Sequence, residues 1–112
     1  MGDRGQIAIS QGDGTCVYLY SHWDGSRLPE ILKSALIRGK NRWGDSCYLA
    51  RIIFCEMVKG REMEETGFGI DTAVHDDVHQ PIPTLDCGTQ MIVWNSFSTT
   101  TPPISFADFI IT

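Results

Sequence analysis

The chain has 112 residues, of which 42% are hydrophobic, 10% aromatic and 21% charged. That is room for one domain with its own core, and it excludes a disordered chain. No apolar run approaches the roughly 20 residues that span a bilayer. A net charge of −5 excludes recognition of duplex nucleic acid by overall charge.

The opening Met1-Gly2-Asp3-Arg4-Gly5 lacks the apolar stretch of a secretory signal. Gly2 is followed by Gln6 where a myristoylation motif wants Ser or Thr. A cytoplasmic single-domain protein is the expectation. Charge is unevenly spread: residues 1–60 hold eight Lys or Arg against six Asp or Glu, whereas residues 61–112 hold Arg61 alone against eight acids. Two solvated surfaces account for this, and so does a small anionic ligand at one end or self-association of unlike patches.

In chain order, Gln6–Ser10 is a short apolar run, and Gln11-Gly12-Asp13-Gly14 is a turn whose glycines permit positive φ. Thr15–Tyr20 is β-branched and aromatic, which predicts the partner strand of a hairpin. After the turn-rich Ser21–Ser26, residues Leu28, Ile31, Leu32, Ala35 and Leu36 recur on one helical face. Ser26 is the expected N-cap, Pro29 falls in the first turn, and Gly39 is the stop. A second helix is predicted from Asp45 or Ser46 to Gly60, with Tyr48, Leu49, Ile52, Ile53 and Met57 on its apolar face. Thr66–Ile70 reads as a strand and residues 71–83 as a loop. Residues 84–95 form a second hairpin turning at Gly88-Thr89, and Ser96–Pro103 is a linker. Ser105-Phe106-Ala107-Asp108 has capping-box spacing and predicts a short closing helix. The order ββααβββα implies an α+β domain, an antiparallel sheet with helices on one face. Ile7, Ile9, Val17, Leu19, Leu28, Leu32, Leu36, Leu49, Ile52, Ile53, Ile92, Trp94 and Phe109 are the expected core.

Four groupings carry candidate chemistry. His22-Trp23-Asp24-Gly25 precedes a helix N-terminus, where unpaired N–H groups favour an anion; Trp23 offers a ring for stacking and His22 a donor to phosphate. Its structural alternative is a Trp closing the core beside a turn histidine. Arg38, Lys40, Arg42 and Trp43 pair cations with an indole, suited to phosphate and base, or equally to a helix connector with Trp43 tucked beneath it. Arg51 lies on the shoulder of the second helix's apolar face, near enough in sequence for an ion pair with Glu56 or a place in a pocket. His75-Asp76-Asp77-Val78-His79 would ligate a metal only on a helix, which the flanking Pro and Val residues oppose. No phosphate-binding loop or dinucleotide glycine motif is present. The four cysteines (Cys16, Cys47, Cys55, Cys87) lack paired spacings, so reduced structural thiols are expected, with Cys47 and Cys55 acting as small hydrophobes. No cofactor and no metal site is expected.

The residues Tyr20-Ser21-His22-Trp23-Asp24-Gly25, Leu28-Pro29-Glu30-Ile31-Leu32, Arg42-Trp43, Tyr48-Leu49-Ala50-Arg51-Ile52-Ile53-Phe54, Glu56-Met57-Val58-Lys59 and Glu65–Ile70 resemble a family of small uncharacterised proteins of phages, prophages and their bacterial hosts. The likeness covers residues 5–71 and Ser105–Phe109. It departs from the family at Asp24, where glycine is usual, and across 72–83. It implies a counter-defence role. One class of protein fits: a non-enzymatic binder that sequesters a nucleotide-derived immune signal, through His22, Trp23, Arg38, Arg42, Trp43 and Arg51, in a homo-oligomer that completes the pocket. Two other readings stay open. One is an acidic protein, Glu62 to Asp86, that occupies the basic groove of a host nuclease. The other is a small phosphodiesterase using His75 and His79.

Overall fold

Strict alternation in the first hairpin sets the two faces of the molecule. In β1 (Gly5–Ser10) Ile7 and Ile9 point one way and Gln6, Ala8 and Ser10 the other; β2 (Cys16–Ser21) pairs antiparallel with it, Ile7 opposite Leu19 and Ile9 opposite Val17. Gly12 and Gly14 take φ of 95° and 91° in the connecting turn, a region that glycine enters without steric cost. The computed structural model describes residues 2–96 and 98–112; Met1 of the opening segment and Phe97 of the predicted linker lie outside the described residues.

After a single 3-10 turn at Gly25–Arg27 the chain forms α1 (Leu28–Arg38), a second such turn at Lys40–Arg42, and α2 (Ser46–Val58). The remaining elements are β3 (Phe68–Asp71), β4 (Ile82–Asp86), β5 (Met91–Asn95), β6 (Ile104–Ser105) and α3 (Phe106–Phe109). The fold is α+β, as the order of elements predicts. Asp45 caps α2 by accepting from the Tyr48 N–H, and Ser105 caps α3 by accepting from the Asp108 N–H.

The six strands run in the order β3-β2-β1-β4-β5-β6, and each neighbour is antiparallel except β1 and β4. The sheet is therefore mixed, where a purely antiparallel one was expected. The cause is the route of residues 72–81. A parallel partner requires a crossover, and here the segment leaves β3 at one edge, passes beneath the face opposite the helices, and enters β4 beside β1. The buried Gln6 side chain holds it there, donating to the Ala73 carbonyl at 3.2 Å and accepting from the His75 N–H at 3.0 Å. Both ends of the buried amide are thus satisfied.

The core lies between the helices and the opposite sheet face. Ile7, Leu19, Leu32, Leu36, Leu49, Ile53, Leu85, Ile92 and Phe106 are all but fully buried, and each such side chain contributes about 1.5–3 kcal/mol. Of the expected core, Val17, Trp94 and Phe109 are only partly buried, packed against its rim. Phe106 rather than Phe109 anchors α3, meeting Trp43 edge-on with ring centroids 5.6 Å apart.

Candidate functional site

At the end of β2 the chain turns sharply, and this turn gathers groups from three distant segments. His22 N–H donates to the Gly67 carbonyl at 2.8 Å, which brings Trp23 over Gly67. Gly67 has φ of 99°, and a Cβ there would lie 3.2 Å from the indole nitrogen of Trp23. Trp23 meets the His22 ring edge-on at 4.3 Å and is 52% exposed. The anion that this turn was expected to attract is supplied by the chain itself. Asp3 accepts at 2.8 Å from the Ser26 N–H and also from the Ser26 hydroxyl, while its carbonyl accepts from the Gly25 N–H at 2.7 Å. Ser26 thus serves as a donor to Asp3 and not as the N-cap of α1, which begins after Arg27 without a side-chain cap. Gly25 is required here, since a Cβ would stand 2.7 Å from the Asp3 carbonyl oxygen. Asp24 is also committed internally. Its buried carboxylate accepts from Arg61 at 2.5 Å and lies 3.6 Å from Arg27.

The groups left facing outward form one imidazole–aromatic cluster. Arg4 Nε donates to His22 Nδ1 at 3.2 Å, and the Tyr20 hydroxyl lies 3.1 Å from the same nitrogen. Arginine has only donors, so Nδ1 is the bare nitrogen of His22 and Nε2 carries the hydrogen. Arg4 Nη1 also donates to Asp77 at 2.6 Å. Burial raises the Tyr20 phenol above its ordinary pKa, with the Asp77 charge adding to this and Arg4 opposing it, so Tyr20 stays a neutral donor. On the other side of the same ring, His75 stacks at 4.5 Å with an interplanar angle of 19°. His75 Nε2 lies 3.0 Å from Asp71, whose carboxyl is held below the ordinary range by the Thr72 N–H and then by His75. His79 lies 3.9 Å from Asp3. All three histidines therefore belong to one neighbourhood, built from the N-terminal segment, the end of β2 and the 72–81 crossover.

Beside this cluster opens a cleft of about 560 Å³ on the sheet face opposite the helices. His75, Asp76, His79, Gln80 and Asn95 line it together with the apolar Val74, Val78 and Ile82. The mixture suits a ring-bearing ligand with polar substituents: apolar walls for the ring, and His79 with the Gln80 and Asn95 amides for the polar groups. Among the described residues no group of three or more His, Cys, Asp or Glu side chains could hold a metal ion. The segment that carries His75 and His79 is a loop, so the two imidazoles do not share a helical face.

Five of the six residues singled out in the sequence fall at the two ends of α1, and the sixth, Arg51, lies within α2. His22 and Trp23 stand before α1, whereas Arg38 ends it and Arg42 and Trp43 follow, about 16 Å away for a helix of 11 residues. Trp43 is only 9% exposed and donates to the Leu36 carbonyl at 2.9 Å, so it belongs to the core and has no free face for a base. The exposed ring at that end is Tyr48, with the Arg42 guanidinium 5.2 Å from its centroid. Arg38 donates to Glu56 at 3.2 Å and to the Ile52 carbonyl at 2.9 Å. Arg51 is exposed, 3.9 Å from Cys55 Sγ, and does not pair with Glu56, because positions five apart on a helix point in different directions. Cys47 and Cys55 are likewise exposed rather than packed as hydrophobes, and Cys87 is the buried thiol.

Arg4, Tyr20 and Asp71 are members of the cluster that the sequence did not single out. Period-two alternation in β2 puts Tyr20 on the face away from the helices, which was a usable signal; the crossover that brings His75 onto it has no local signature. No family model, curated protein or solved structure matches the chain.

Proposed function

We propose that the protein is a non-enzymatic binding protein that sequesters a small nucleotide-derived signal, in the manner of a phage counter-defence factor. The observation that carries this reading is the cleft of about 560 Å³ into which His75 and His79 both face, with Val74, Val78 and Ile82 as apolar walls. A nucleobase lies against the walls, and the phosphate accepts from His79 and the side-chain amides of Gln80 and Asn95. Trp23, half exposed beside His22, gives a second ring at the rim of the same cluster. The likeness to small phage and prophage proteins supports the biological setting.

A second reading has one specific observation in its favour. His75 is paired with Asp71 at 3.0 Å, and a carboxylate that fixes one imidazole nitrogen leaves the other as a base. With His79 in the same cleft, that arrangement suits hydrolysis of a phosphodiester.

The test is a thermal-shift screen with cyclic di- and trinucleotides and ADP-ribose derivatives, followed by recovery of the ligand. A ligand at 100-fold over its dissociation constant stabilises by about 2.7 kcal/mol, several degrees for a domain of this size. A shift that is lost in His79→Ala, with the nucleotide recovered intact, is the expected result. Recovery of a cleaved product favours the phosphodiesterase, and no shift with any nucleotide contradicts both readings.

A further inference from the structure

The cleft that holds His75 and His79 occupies one end of the sheet face opposite the helices, and a second cleft of about 520 Å³ lies further along the same face. Strand register puts both there. Thr84 and Asp86 of β4 pair in parallel with Ala8 and Ser10, so their side chains turn away from the helices, and Ile82 joins them by period-two alternation. Asn95 lies opposite Ile82, Val93 opposite Thr84 and Met91 opposite Asp86. Ile82 and Asn95 line the first cleft, and the next two pairs along β4 and β5 line the second. From Ile82 to Asp86 is four residues of extended strand, about 13 Å.

At the junction of the two clefts stands a pair of donors. Asn95 Nδ2 donates to Thr84 Oγ1 at 2.9 Å, and Asn95 Oδ1 accepts from the Thr100 hydroxyl at 2.8 Å, which fixes the amide with its nitrogen toward β4. The second amide hydrogen of Asn95 and the hydroxyl hydrogen of Thr84 have no acceptor among the described residues. Beyond this pair the second cleft has Met91, Val93 and Pro103 as apolar walls, and Asp86 is its one charged lining residue. Asp86 accepts from the Gly88 N–H at 2.8 Å and the Thr89 N–H at 3.2 Å. A carboxylate at that end opposes a phosphate and admits a neutral ring whose amino group can donate to it.

We propose that the two clefts form one bipartite site for a dinucleotide. One nucleobase occupies the cleft of His75 and His79, the other lies between Met91, Val93 and Pro103, and a joining phosphate rests over Asn95 and Thr84. This rests on the reading of the first cleft as a nucleotide site and gives the class of ligand it takes. A mononucleotide fills one cleft only. Joining two nucleosides makes the second contact intramolecular, which raises affinity by about a hundredfold or more.

The test is calorimetric titration of the intact chain with AMP, GMP and the cyclic dinucleotide built from each. One cyclic dinucleotide is expected to bind about a hundredfold more tightly than its mononucleotide, at one molecule per chain. Val93→Glu is expected to remove that advantage and leave mononucleotide affinity unchanged, whereas His79→Ala weakens both probes. Pro103→Glu, at an exposed position, makes the same test should Val93→Glu disturb β5, and melting temperature shows which variant is folded. A dinucleotide bound no more tightly than its mononucleotide would overturn the bipartite site and leave the nucleotide reading of the first cleft standing. So would an advantage that survives in folded second-cleft variants. Absence of binding by every probe would overturn both.

Discussion

His75 lies flat on the ring of Tyr20, centroids 4.5 Å apart, and this contact fastens the 72–81 crossover to the sheet. Gln6 holds the same segment through its amide, and Arg4 through Asp77. The cleft exists because the crossover is held there. An aromatic contact of this kind contributes about 0.5–1.5 kcal/mol beyond area burial. His75→Ala is therefore expected to lower global stability by about 1 kcal/mol, with the larger effect local: amide hydrogen exchange over residues 72–80 should quicken while β1 and α2 remain protected. Exchange that rises evenly through the molecule would show that the contact is not a local clasp.

Trp43 and Tyr48 should behave oppositely, although both flank the same basic connector. Removing the buried Trp43 ring, as in Trp43→Ala, is expected to cost about 3–5 kcal/mol through the cavity left against Phe106. That is a large part of the roughly 5–15 kcal/mol that holds a domain together. Tyr48→Ala, at an exposed site, is expected to stay within about 0.5 kcal/mol. Urea denaturation of the two variants decides this; equal losses would contradict the placement of Trp43 in the core.

The thiols should separate by accessibility. Cys47 and Cys55 are exposed and should react with a thiol reagent in the native protein, whereas Cys87 should react only on unfolding. Burial pushes the Cys87 thiol up from 9.0 to about 11, with the Asp86 and Asp45 charges adding to it. A raised pKa means that the neutral thiol is favoured in the folded state. Its contribution to stability is complete below pH 9 and falls away as the pH approaches 11. Loss of stability over that window should be smaller in Cys87→Ala, measured against that variant's own value at neutral pH.

Acid should loosen the N-terminal segment. Asp3 is held below the ordinary carboxylate range, first by the Ser26 hydroxyl and then by the Ser26 N–H; Asp71 is lowered by the Thr72 N–H and then by His75. A lowered pKa gives stability that is complete above the ordinary carboxylate value and is lost as the pH falls through the folded value. Melting temperature should therefore drop below about pH 4, and the drop should be shallower in Asp3→Asn. An unchanged acid limb in that variant would show that Asp3 does not tie the N-terminal segment to the start of α1.

How much of this was legible in the sequence depended on distance along the chain. The first hairpin followed from Gly12 and Gly14, α1 and α2 from the spacing of Leu28 to Leu36 and Leu49 to Met57, and the cap at Ser105 from its spacing to Asp108. Each is decided within a few positions. Ser26 looked like a cap because local rules are blind to Asp3, 23 residues earlier, which takes both of its donors. The parallel β1–β4 pairing, the short β6 and the stacking of His75 on Tyr20 all depend on where a crossover runs, which no local pattern encodes. Trp43 and Tyr48 show the same limit: two aromatic residues in a basic stretch, with burial assigned by the packing of α3 from the far end of the chain.

In the proposed function, His75 and His79 meet one ligand in the same cleft. The most direct test follows the imidazole signals of all three histidines by NMR while the protein is titrated with each cyclic dinucleotide and with ADP-ribose in turn. At least one of these probes is expected to move the His75 and His79 signals together, saturably and to a common midpoint, and to be recovered unchanged. Histidine signals that stay still through every titration, or a saturable response confined to the Arg42–Tyr48 surface, would contradict it.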